Sequence, residues 1–145
     1  MSERKRKKSR GLPDRQSYLN HRAHAETVHD VDGVTMRHLM VPEQHAVEHF
    51  SLTELELAAG QMAEWPPYPH GEKVWHILNG AGLMTLGPEQ FAIVPGDIIH
   101  IAPGLVHQVH SRGQHPLQLL CISCPALPGK HDAPEEALPN LVSPT

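Results

Sequence analysis

Apolar and polar residues alternate with a period of two through the middle of this chain, in short runs cut by Gly and Pro. Val34, Met36, His38 and Met40 share one phase, with Thr35, Arg37 and Leu39 in the other, which predicts a strand. The next run puts Phe50 and Leu52 in one phase and Leu55 and Leu57 in the other, which predicts a bulge between them before Gly60 ends the strand. Residues 74–78 and 83–86 flank Asn79-Gly80-Ala81-Gly82. An Asn-Gly step between apolar runs predicts a hairpin whose two strands pair. Further runs at 91–94, 98–101, 105–109 and 117–123 are separated by Pro95-Gly96-Asp97, Ala102-Pro103-Gly104 and Arg112-Gly113-Gln114. About eight such strands predict an all-β jelly-roll barrel or sandwich.

The flanks lack this texture. Residues 1–26 read as a basic, irregular arm, with a short helix expected near 18–27, and residues 126–145 as a Pro-rich tail. Residues 27–125 are left as the barrel, and 145 residues suit one domain. Six of the 12 basic residues lie within the first ten positions; with Glu3 that segment carries +5, leaving −9 of the −4 total on the rest. Nothing aromatic interleaves with those charges and no reader of bases follows. Contact with nucleic acid is therefore expected only as non-specific tethering by residues 1–10. No apolar run reaches the length of a membrane span, and no apolar core follows the basic residues, so a cytoplasmic protein without membrane contact is expected. Cys121 and Cys124 spell CxxC inside a strand-like run, which sends them to opposite faces. They read as a core and an edge thiol.

The segment from Gly96 to His107 is similar to the second motif of the cupins, G(x)5PxG(x)2H(x)3N. Gly96, Gly104 and His107 hold its spacings, Pro103 stands one place late, and Ser111 replaces the Asn. The chain resembles a small single-domain cupin over about residues 33–125. That resemblance implies a jelly-roll β-barrel with His107 on its inner wall, a small-molecule ligand in the pocket, and a homodimer.

The first cupin motif, G(x)5HxH(x)3,4E(x)6G, is degenerate. Counting forward from Gly60 puts Pro66 and Tyr68 at the His positions and Glu72 at the Glu; counting back from Gly80 puts Pro67 and Pro69 there and Lys73 at the Glu. The one-residue disagreement implies a bulge or insertion between Glu72 and Gly80. His70, Glu72 and His76 nevertheless keep the family's ligand spacing with residue types permuted, and all three share one strand parity. With His107 they would supply three imidazoles and a carboxylate, a set suited to a divalent transition metal such as Fe, Mn, Ni, Cu or Zn. Under the backward count Lys73 enters the cavity instead, where an ammonium would oppose a cation.

Trp65, Tyr68 and Trp75 fall within eleven positions of a chain that holds only six Phe, Tyr and Trp. They are candidate pocket walls, with His100 as a further candidate. Three functions remain open. In a metal-dependent oxygenase, isomerase or lyase, Glu72 is the candidate base. In a metal-free enzyme, His107 transfers protons with Lys73 or Tyr68, a desolvated Lys73 serving as base or nucleophile. The third is a barrel that binds a small molecule without turnover.

Overall fold

The computed structural model describes residues 12, 14–31, 33–126 and 140–142. Their strands, numbered along the chain, form two antiparallel sheets that share one core. The first sheet has the order β1 (Glu26–Val31), β2 (Val34–Met40), β3 (Ser51–Leu57), β10 (Leu117–Cys124), β5 (Glu72–Asn79) and β8 (Ile98–Ile101). The second has the order β11 (Asn140–Val142), β4 (Met62–Trp65), β9 (His107–Arg112), β6 (Ala81–Leu86) and β7 (Glu89–Ile93). Strands distant in sequence lie side by side, β3 with β10 and β4 with β9, which is the jelly-roll arrangement. Among the described residues no helix is long and apolar enough to cross a membrane.

Alternation along β2, β3, β10 and β5 sends every second side chain inward, and the register stacks these residues in rungs. Val34, Leu57 and Leu117 make the first rung; Met36, Leu55, Leu119 and Ile77 the second. His38, Thr53, Cys121 and Trp75 make the third, and Ser51, Ser123 and Lys73 the last. All of them are buried. The barrel is thus apolar at one end, where each buried Leu or Ile contributes about 1.5–3 kcal/mol, and polar at the other. That gradient decides where chemistry can occur.

Several elements depart from the sequence reading. The helix expected near 18–27 is replaced by a four-residue helix, Arg15–Tyr18, and a 3₁₀ turn, Arg22–His24, and β1 already begins at Glu26. The β-branched Thr27, Val28 and Val31 favour that strand. The bulge expected in β3 is absent, because residues 51–57 pair with β10 in one unbroken register. Leu52 faces outward and Phe50 is exposed. The inward positions at that end are Ser51 and Thr53, so the apolar residues marked the wrong phase. The turn at Asn79-Gly80 does not join paired strands: β5 bonds to β10 and β8, and β6 to β7 and β9. It carries the chain from one sheet to the other. A Cβ on Gly80 would clash with the Pro116 carbonyl oxygen, so this corner is closed against the start of β10. Finally, residues 140–142 of the expected irregular tail pair with β4. Residues 1–11 of the basic arm and 127–139 of the tail lie outside the described residues.

The N-terminal segment is fastened to the outer face of the first sheet by a buried carboxylate. Glu54, 2% exposed, accepts from Arg22 Nη2 at 2.7 Å, Arg37 Nη1 at 2.8 Å and Gln118 Nε2 at 3.1 Å. The hydrogen bonds from Arg22 hold its carboxyl below the ordinary 4.5, against the opposing effect of burial. A depressed carboxyl contributes stability in full above its unfolded value, and loses it as pH falls through the folded value. Wild-type urea midpoints should therefore fall as pH drops below the ordinary carboxyl value of 4.5. Glu54→Gln should flatten that limb while lowering stability near pH 7 by about 1–3 kcal/mol. Identical acid limbs would show that the cluster does not govern acid stability.

Candidate functional site

Lys73 and His107 meet inside the polar end of the barrel. Lys73 is an inward residue of β5, 4% exposed, and His107 opens β9, 1% exposed. Lys73 Nζ lies 3.2 Å from His107 Nε2. The other ring nitrogen, Nδ1, lies 3.1 Å from the Leu105 carbonyl oxygen, which only accepts. Nδ1 therefore carries the proton, and Nε2 offers a lone pair that accepts from Lys73.

Strand pairing explains the surroundings. Trp65 of β4 is the register partner of His107, and the two rings stack at 5.5 Å with 1° between planes. Trp75 lies two residues after Lys73 on the same face and meets His107 edge-on at 5.7 Å and Trp65 at 5.3 Å. Lys73 Nζ sits 5.9 Å from the centroid of the Trp65 ring. Thr53, Cys121, Met36 and Leu55 complete a void of about 20 Å³, room for roughly one water molecule.

These walls set the protonation states. Burial first, and Lys73 second, push His107 down to about 3 despite the Leu105 bond. Burial likewise lowers Lys73 from its ordinary 10.5, and no carboxylate among the described residues forms an ion pair with it. Burial raises the Cys121 thiol, so it stays protonated. The site thus joins an amine with a depressed proton affinity to a neutral imidazole.

The expected metal centre does not assemble. His70, Glu72 and His76 are all exposed, while His107 is buried inside. Glu72 bonds instead to His100, Oε1 to Nε2 at 2.6 Å, and both side chains are more than half exposed. Glu72 is therefore not placed as a base in the cavity, and His100 is not a pocket residue. Among the described residues no three His, Cys, Asp or Glu gather to hold a metal. The cause is parity: Lys73, Trp75 and Ile77 take the inner face, so residues 72, 74 and 76 take the outer one. The bulge implied by the two motif counts lies at Leu78, where pairing passes from Ile77–Leu119 to Asn79–Gln118. A buried amine stands where the backward motif count puts the carboxylate ligand, and these residues do not fit a divalent ion.

Tyr68 is also separate from the pair. Its carbonyl accepts from Gly104 N at 3.2 Å, and its ring lies against Gly71, where a Cβ would come 2.8 Å from Tyr68 Cε2. Trp65 and Trp75 do line the void. Thr53 and Cys121 were not among the expected site residues, although each lies two residues from an inward leucine, Leu55 and Leu119, and so shares its face. Cys124, by contrast, is exposed, as the opposite-face argument for the CxxC pair requires.

A family model described as "Cupin domain" matches residues 53–123. The uncharacterized protein MJ1618 of Methanocaldococcus jannaschii is 35% identical over 104 residues, covering 72% of this chain and 82% of that protein. Among solved structures, ectoine synthase from P. lautus superposes with a TM-score of 0.66 at 19% identity, covering 81% of each chain. KdgF from Halomonas sp. gives 0.63 at 12% identity, covering 74% of this chain and 94% of that one. At such identities the structural likeness shows the fold alone.

With the Nδ1–H tautomer fixed by Leu105, the His107 imidazole should stay neutral from about pH 8 to pH 5. Nitrogen-15 NMR of the histidine rings reads this directly. A His107 ring that titrates near the ordinary 6.5 would show that it is solvated.

Proposed function

The chain belongs to the cupin family, and from that premise we propose that its barrel is a metal-free enzyme site in which Lys73 exchanges a proton with a small molecule. The observation that carries this reading is the 3.2 Å contact between Lys73 Nζ and His107 Nε2 in an aromatic, water-poor chamber. Burial lowers the proton affinity of Lys73, which makes its free amine more available as a general base than that of an exposed lysine. When Lys73 accepts a proton it becomes an ammonium. His107 Nε2 already faces it as acceptor, and the imidazole cannot take that proton away because burial holds it neutral. The proton remains on Lys73 Nζ, available for return to a neighbouring atom of the same ligand. This is the requirement of an isomerisation or of an elimination.

His107 acts in this scheme as a positioning residue that aims Lys73 Nζ. Trp65 and Trp75 exclude water and hold His107 between them. A second reading, a barrel that binds without turnover, draws on the small volume of the void, which holds about one water molecule and no sugar-sized body.

Incubation of the protein in D2O with small carbonyl compounds, read by proton NMR, separates the two. Wild type should exchange the hydrogen next to the carbonyl, and Lys73→Met should lose about 10²- to 10⁴-fold in rate. Exchange retained in Lys73→Met would contradict the assignment of the base. Binding with no exchange by wild type would leave the binding barrel as the function.

A further inference from the structure

One hydroxyl in the chamber has no answer from the rest of the protein. Thr53, 1% exposed, takes an inward position of β3, between His38 of β2 and Cys121 of β10 in the strand register. It lines the same void as Lys73, and among the described residues its Oγ1 has no hydrogen-bond partner. A buried hydroxyl left so is costly, and native proteins keep few of them. Lys73 also has hydrogen-bonding capacity to spare. His107 Nε2 takes one N–H, and no carboxylate among the described residues is ion-paired with the amine. The Cys121 thiol on the same wall is a weak partner and lies 3.6 Å from Ser123 Oγ. Met36, Leu55 and the two indole rings make up the rest. The void between these groups, about 20 Å³, is the size of one water molecule.

We infer that the void is a binding site for a single water held between Lys73 Nζ and Thr53 Oγ1, and that Thr53 is through this water a positioning residue for Lys73. The water accepts an N–H from Lys73 and donates to Thr53 Oγ1. Nζ has three positions besides its bond to Cε. One N–H goes to His107 Nε2, a second goes to the water, and the third position is a lone pair in the amine and an N–H in the ammonium. Two acceptors on two sides stop rotation about the Cε–Nζ bond. They leave the third position as the one that takes a proton from a ligand and returns it. A single acceptor, His107, would leave Nζ free to turn. The inference rests on the reading of Lys73 as the base and adds the residue that orients it. A hydrogen bond from an ammonium is stronger than one from an amine, so the water also favours the protonated state.

A crystal structure of the full chain, at a resolution that shows single waters, tests it. Wild type should hold one water within about 2.7–3.2 Å of both Lys73 Nζ and Thr53 Oγ1. Thr53→Val keeps the shape and removes the water's acceptor, so it should lose that water, and Thr53→Ser should retain it. Carbon-13 titration of Lys73 gives a readout that altered packing does not share. Lys73 should titrate lower in Thr53→Val than in wild type, because its ammonium loses an acceptor, while Thr53→Ser should follow wild type despite its missing methyl. Should Thr53→Val not fold, the wild-type crystal decides, together with nuclear Overhauser contacts from water to the Thr53 methyl in solution. Wild type with no water at this position, a water retained in Thr53→Val, or a Lys73 titration unchanged in Thr53→Val would each overturn the inference. Lys73-dependent exchange of a carbonyl compound by a wild type that holds no such water would remove the water site and leave the base in place. A bound water with no exchange of any compound would do the reverse.

Discussion

A lysine amine held against a neutral imidazole inside a closed barrel is the constraint to which the rest of this structure answers. Removing an ammonium from water costs several kcal/mol, and one neutral acceptor offsets only a part of that. The amine persists because covalent and register constraints leave it no other position. The inner-face residues of β5 are Lys73, Trp75 and Ile77, and turning Lys73 outward would expose both of its apolar companions. The apolar rungs at the far end of the barrel stabilise the fold and thereby carry the unfavourable end. Stability and chemistry are divided along one axis.

Placement of the imidazole is equally determined. The Ala102-Pro103-Gly104 turn delivers the chain into β9, the Leu105 carbonyl fixes the ring's tautomer, and pairing with β4 lays Trp65 flat against the ring. None of these contacts requires a metal. The cupin barrel is here a scaffold whose inner wall has been filled with a different donor set. That agrees with different proteins sharing its shape at 12–19% sequence identity.

Part of this was legible in the sequence, and the reason lies in which signals are local. The Gly96–Gly104–His107 spacing placed one inward histidine, because glycines and a proline fix a turn whatever surrounds them. The paired motif counts correctly implied an irregularity between Glu72 and Gly80, which is the Leu78 bulge. They could not say which of Glu72 and Lys73 points inward, since parity on a strand is set by its partners, β10 and β8. The Asn79-Gly80 step misled for a related reason. Its turn chemistry is local, but whether the following strand returns to the same sheet depends on the long-range pairing of β6 with β9. Strand β4 was invisible because four residues carry no periodicity, and the polar inner positions Ser51 and Thr53 reversed the apparent phase of β3. The polar end of the barrel, which makes the site, is also what obscures it in the sequence.

The account depends on Lys73 being a desolvated amine. Carbon-13 titration of the lysine ε-carbons in wild type, assigned with Lys73→Met, measures that state without any ligand. Lys73 should titrate below the ordinary lysine value of 10.5. A Lys73 resonance that titrates at the ordinary 10.5 would show a solvated ammonium, and the reading of the barrel as a base-bearing chamber would be contradicted.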